Sequence, residues 1–310
     1  MRIVSLLPSA TEIVCALGAR DQLVGVSHEC DFPSGVEQLP QLTRPRRELP
    51  RASGAIDRAV RDIVADALAV YEVDVEQLRA LAPDVIVTQD LCDVCAVSLA
   101  DVHRALAELA RDDVAVESLR PGLLADVWQD VERVGAALGR AEEGRRVAAA
   151  LAERARALAQ RANAVPDAKP AVLTIEWLEP VMVGGTWMPE LVTLAGGTPL
   201  VTEPGQHAPT LDADQLRAQA PDVVLIKPCG FDIERANEEL ARLHGTVPWG
   251  DWPAVRAGRV YVADGNAYFN RPGPRLVESL EILAACLHPE AFPELVERHA
   301  GSGFVVAQVH

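Results

Sequence analysis

Apolar residues in this chain fall into short, nearly continuous runs that alternate with stretches of three- and four-residue periodicity. Seven runs read as strands buried on both faces: Ile3-Val4-Ser5-Leu6-Leu7, Leu23-Val24-Gly25-Val26, Val85-Ile86-Val87-Thr88, Val114-Ala115-Val116, Ala171-Val172-Leu173-Thr174-Ile175, Val223-Val224-Leu225-Ile226 and Arg259-Val260-Tyr261-Val262. Between them the pattern predicts helices over 9–17, 59–68, 75–81, 103–109, 189–195, 211–218, 235–243 and 276–287. Ser9 stands where an N-cap belongs, with Glu12 at capping-box spacing. From 123 to 164 helix formers dominate, with Val127, Val131, Val134 and Leu138, then Val147, Leu151 and Leu158, on one stripe. This stretch predicts a long helical spacer, with Gly135, Gly139 and Gly144 as the points able to interrupt it. The tail beyond His288 carries no assignable pattern.

Two phrases repeat. Leu78-Arg79-Ala80-Leu81-Ala82-Pro83-Asp84-Val85-Ile86 returns as Leu216-Arg217-Ala218-Gln219-Ala220-Pro221-Asp222-Val223-Val224. Each copy reads as a helix end, a Pro-Asp turn and a buried strand. Glu12-Ile13-Val14-Cys15-Ala16-Leu17-Gly18-Ala19 is echoed by Glu190-Leu191-Val192-Thr193-Leu194-Ala195-Gly196-Gly197, both ending in the small-residue stop of a helix C-terminus. Strands alternating with helices, repeated in one order, imply an α/β fold of two Rossmann-like parallel-sheet lobes. The expected layout is an N-terminal lobe over 1–122, a rigid backbone helix over 123–164 and a C-terminal lobe with a closing helix and tail over 165–310. Two facing lobes predict a ligand cleft between them.

Composition narrows the partners. A net charge of −16 argues against nucleic acid or an anionic membrane as a broad-surface partner. No apolar run approaches the roughly 20 residues that span a bilayer. Met1-Arg2 leads straight into the first strand, too short for a secretory core segment. As written the chain reads as cytoplasmic, or as periplasmic if a leader has been removed.

In parallel sheets ligands bind beyond the carboxyl ends of the strands. Those positions carry Ser27-His28-Glu29-Cys30, Gln89-Asp90-Leu91-Cys92-Asp93-Val94-Cys95 and Lys227-Pro228-Cys229-Gly230-Phe231. Imidazole and thiolate together suit zinc, copper or iron–sulfur chemistry, so His28, Cys30, Cys92, Cys95 and Cys229 form a candidate metal set. Cys15 and Cys286 sit in apolar helical patterns and read as core. Trp177, Trp187 and Phe269 supply aromatic surface for a large organic ligand, and Arg271 a guanidinium for an anionic group on it. No phosphate-binding loop, dinucleotide fingerprint or nucleophile elbow occurs.

Ile3-Val4-Ser5-Leu6-Leu7-Pro8-Ser9-Ala10-Thr11-Glu12, Leu23-Val24-Gly25-Val26-Ser27, Asp31-Phe32-Pro33, Leu81-Ala82-Pro83-Asp84-Val85-Ile86, Glu190 through Gly197 and Phe269-Asn270-Arg271-Pro272-Gly273-Pro274-Arg275 carry a family likeness. Together they resemble the helical-backbone (class III) substrate-binding proteins of cobalamin and ferric-siderophore ABC transporters, across residues 2–288. The resemblance implies two lobes joined by a rigid helix, a non-enzymatic role, and a cobalamin, related corrinoid or other metal chelate as ligand. It also implies an ABC transporter permease as partner. It places His28, Glu29, Cys30, Gln89, Asp90, Trp177, Trp187, Phe269 and Arg271 at the ligand. The chain departs from the vitamin B12-binding members at Glu29 and Gln89, where those present aromatics, and in its cysteines. The competing reading is an intracellular metal- or thiol-dependent enzyme, or a metal sensor, with a zinc or iron ion on the Cys/His cluster.

Overall fold

A computed structural model of the chain describes residues 1–46, 48–65, 70–89, 99–108, 113–166, 169–240, 247 and 249–309. The chain divides into two compact units. The first comprises Met1–Arg51, Ala55–Pro121 and Ala125–Leu151; the second comprises Ala52–Gly54, Gly122–Leu124 and Ala152–His310.

The first half of the chain runs β1 (Ile3–Ser5), α1 (Pro8–Ala16), β2 (Leu23–Val26), β3 (Thr43–Pro45), α2 (Ser53–Ala65), β4 (Tyr71–Val73), α3 (Val75–Leu81), β5 (Val85–Gln89), α4 (Leu99–Glu108), β6 (Ala115–Leu119) and α5 (Leu124–Ala137). Four strands form a parallel sheet in the order β2-β1-β5-β6. The inner strands β1 and β5 are fully buried, as a sheet covered on both faces requires, while the edge strand β6 is half-exposed, contrary to the burial expected of Val114-Ala115-Val116. Val4, Leu6, Leu42, Ile63, Leu78, Ile86 and Val102 pack as one cluster. β3 and β4 pair antiparallel apart from this sheet.

Helix α6 (Ala141–Asn163) carries the chain from the first unit into the second. There follow β7 (Ala171–Trp177), β8 (Met182–Val183), α7 (Met188–Leu194), β9 (Thr198–Pro199), α8 (Ala213–Arg217), β10 (Val223–Ile226), α9 (Ile233–Leu240), α10 (Pro253–Arg256), β11 (Val260–Ala263), α11 (Leu276–Leu287), α12 (Pro293–His299) and β12 (Phe304–Val306). β9, β7, β10 and β11 are parallel neighbours in that order. Antiparallel β12 extends the sheet beyond β11, and antiparallel β8 lies on β7. The parallel set therefore repeats the β2-β1-β5-β6 order of the first unit.

The repeated phrases have a physical cause. The amide of Asp84 donates to the Arg2 carbonyl (2.8 Å) while its Oδ2 accepts from the Arg2 N–H (2.7 Å). Asp222 does the same with Ala171, at 2.8 and 2.9 Å. Each Pro-Asp turn thus pins the start of the neighbouring strand. The helix echo ends in two matching Schellman caps. Ala19 and Gly18 donate to the Val14 and Cys15 carbonyls, and Gly197 and Gly196 donate to those of Val192 and Thr193. Gly18 (φ 69°) and Gly196 (φ 83°) occupy the left-handed position such a cap needs.

Three expectations change. The 123–164 stretch is two helices, because Gly139 (φ 67°) closes α5 before α6 begins at Ala141. Gly135 and Gly144 allow α5 and α6 to cross closely, since a Cβ on Gly135 would lie 2.8 Å from Gly144 Cα. Ser9 is not the N-cap of α1. Leu7 is, Pro8 occupies the first helical turn, and the buried Ser9 Oγ has no hydrogen-bond partner among the described residues. Finally, the tail that carried no pattern forms α12 and the edge strand β12, each short and recognisable only through its contacts.

Candidate ligand-binding surfaces

In the first unit the strand-end positions after β2 form one hydrogen-bonded group. Thr43, on β3, is its centre. Its Oγ1 accepts from the His28 amide (3.1 Å) and lies 2.8 Å from Ser27 Oγ and 2.7 Å from His28 Nδ1. His28 is half-buried, and its ring packs against Tyr71 with centroids 5.1 Å apart at 55°. Tyr71, on β4, donates its phenol to Glu29 Oε1 (2.9 Å). Burial holds the His28 imidazole below its usual pKa, with Glu29 pulling weakly the other way. A neutral ring with Nδ1 anchored on a hydroxyl is the arrangement that fixes a metal-ligating tautomer when Nδ1 carries the hydrogen, leaving Nε2 its lone pair.

In the second unit, three neighbouring strands deliver polar groups from their carboxyl ends. Lys227 follows β10 and is 1% exposed. Its Nζ donates to Glu176 Oε2 (2.9 Å), near the end of β7, and to Asn270 Oδ1 (2.8 Å), in the loop after β11. Asn270 uses both amide hydrogens on the Lys227 and Gly265 carbonyls (3.0 and 2.8 Å). Gly265 permits this approach, because a Cβ there would lie 2.1 Å from the Pro228 carbonyl oxygen. Beside Glu176, the half-buried Trp177 meets Phe231 edge-on at 5.5 Å, and the Arg235 guanidinium stacks 3.7 Å above the Phe231 ring.

Several expected site residues lie elsewhere. Cys30 is 2% exposed, packs with Val26 and Val36 and has its Sγ 3.1 Å from Thr11 Oγ1, so it is a core residue rather than a presented ligand. Trp187 and Phe269 are both buried; the indole N–H of Trp187 donates to the Phe269 carbonyl (2.8 Å) and braces the loop from inside. Arg271 is buried as well, donating to Asn266 Oδ1 (2.9 Å) within its own loop. Gln89 is buried at the end of β5. Cys229 is exposed. Asp90, Cys92 and Cys95 lie outside the described residues. Among the described residues no three His, Cys, Asp or Glu gather as a metal site, so the expected zinc or iron cluster is not formed by them.

Sequence reasoning passed over Thr43, Tyr71, Glu176, Lys227 and Asn270. Lys227 and Glu176 were within reach of the strand-end rule, since each directly follows or ends a buried run. Thr43 and Tyr71 belong to three-residue strands and carried no such signal.

Residues 3–267 match the model of the periplasmic binding protein family, and the chain belongs to that family. It is an ABC-transporter substrate-binding protein, not an enzyme. An uncharacterized ABC transporter substrate-binding lipoprotein, YvrC, of Bacillus subtilis is 23% identical, covering 94% of this chain and 82% of that one. The vitamin B12-binding protein of Vibrio parahaemolyticus is 22% identical, covering 94% and 90%. Among solved structures, the apo periplasmic heme-binding protein RhuT from Roseiflexus sp. RS-1 superposes with a TM-score of 0.69 at 22% identity, covering 94% and 98%. Among the described residues no helix is long and apolar enough to cross a membrane.

Proposed function

We propose that this protein binds a corrinoid, cobalamin or a close relative, and hands it to an ABC transporter permease outside the cytoplasm. The observation that carries the reading is His28: half-buried, held neutral by burial, and aimed by Thr43 from a strand-end loop of the first unit. Its Nε2 serves as the axial ligand to the metal of the chelate, with Thr43 fixing the ring. The relative named as a vitamin B12-binding protein and the structural neighbour named as heme-binding support a planar metal chelate as the ligand class.

Optical titration with aquocobalamin tests this. Intact protein shifts the visible bands on binding, and His28→Ala removes the shift and weakens binding about tenfold or more, the loss of one good ligand contact. No binding and no spectral change with the intact protein removes the corrinoid as ligand. Binding with a spectral shift that survives His28→Ala removes His28 as the axial group.

A further inference from the structure

The second unit holds a charged pair whose place is not explained by stability. An apolar side chain at 227 would fill the same space without desolvating an ammonium, and a buried pair of this kind seldom stabilises more than its hydrophobic replacement. What the pair does achieve is orientation. Glu176 Oε2 takes the Lys227 ammonium at 2.9 Å, with the Gly185 amide at 3.4 Å behind it. Oε1 takes no hydrogen bond from any described residue, and the Glu176 side chain remains 24% exposed while Lys227 is 1% exposed. Asn270 is saturated by Lys227 and Gly265, so its role is to fix the ammonium. One carboxylate oxygen is thereby held rigidly outward at the carboxyl end of β7, next to Trp177.

We propose that Glu176, oriented by Lys227 and Asn270, is the specificity-determining group of the second unit, selecting chelates whose periphery presents amide N–H donors over those that present carboxylates. A fixed carboxylate oxygen accepts from a primary amide and repels an anion. Corrinoids carry amide side chains; haem carries carboxylates. This inference rests on the reading of the protein as a binder of such chelates. Glu176 touches the ligand, whereas Lys227 and Asn270 are positioning residues.

The test compares aquocobalamin with its monocarboxylic acid derivatives, which differ from it by one hydrolysed side-chain amide, using calorimetry on the intact protein. Wild type binds aquocobalamin about tenfold more tightly than at least one of the acids, and Glu176→Gln loses that preference. Because Glu176→Gln leaves a buried ammonium without its partner, Lys227→Met combined with Glu176→Gln is measured alongside, with folding checked by circular dichroism. The double variant loses the preference too. Equal binding of all the ligands by wild type, or a preference that persists in the folded variants, overturns the inference while leaving the proposed function standing. Failure of aquocobalamin to bind at all overturns both.

Discussion

In the first unit the groups beyond the strand ends are tied by hydroxyls: Ser27, Thr43 and the His28 ring share one small network, with the Tyr71 phenol on Glu29 beside it. In the second, the ends of β7 and β10, which match β1 and β5 rather than β2, carry an ammonium buried to 1% exposure, held between Glu176 and Asn270. The two units share strand order, Pro-Asp clamps and Schellman stops, yet they place different chemistry on the same scaffold. A repeated fold fixes where strand ends lie and leaves free what stands there. The units also bury their acids differently. Asp130 of the first has one oxygen on Arg133 (2.6 Å) and the other without a partner among the described residues, and burial raises its pKa to about 6 against the pull of Arg133. Glu281 of the second is also pushed up by burial, but His299, Arg298 and Arg154 outweigh this and bring it down to about 2.

The largest effect separating the units should come from Glu176→Gln, which strands the Lys227 charge inside the second unit and costs about 3 kcal/mol in urea unfolding. Adding Lys227→Met should recover most of it. An unchanged midpoint for the single variant would mean the ion pair does not hold the strand ends together.

Where the units are alike, their losses should match. Asp84→Ala and Asp222→Ala each remove a carboxylate acceptor from a strand-starting amide, for about 1 kcal/mol apiece. A clear inequality would show that the repeated turn is load-sharing in one unit and ornamental in the other.

The buried acids predict opposite pH responses. Asp130 has a raised folded pKa, so the first unit gains from it only at low pH and loses that gain as pH climbs through about 6. Asp130→Asn should therefore stabilise the protein by about 1 kcal/mol at pH 8 and leave it unchanged near pH 4. Glu281 has a depressed folded pKa, so its contribution is present above the ordinary glutamate range and disappears as pH falls toward about 2. Glu281→Gln should destabilise at neutral pH and lose its effect in strong acid. Identical pH profiles for both variants would erase this part of the contrast.

The smallest effect is a titration. His28 should protonate below the usual histidine range by NMR, and Glu29→Gln should lower it further by removing the one group that raises it. A shift upward in that variant would show that Glu29 does not raise the His28 pKa.

Some of the site was legible in the chain. His28 and Glu29 followed a buried run and do stand partly exposed at a strand end. Trp187 and Phe269 looked like ligand walls because they sit in glycine- and proline-rich loops, but a hydrogen bond between residues 82 apart turns them inward. Cys30 lay two residues from His28, yet the turn closed by its amide on the Ser27 carbonyl (3.1 Å) sends its sulfur onto Thr11 in the core. Thr43 and Tyr71 were invisible because three-residue strands carry no periodicity.

The order of residues by itself determined the alternation of strands and helices, the repeated sheet and the stops at Gly18 and Gly196, because those depend on local periodicity and on backbone conformations that glycine alone adopts without cost. Only the tertiary structure decided which strand-end side chains turn outward and which lysine is buried. Exposure and pairing are set by contacts between segments far apart in the chain, which no local pattern records.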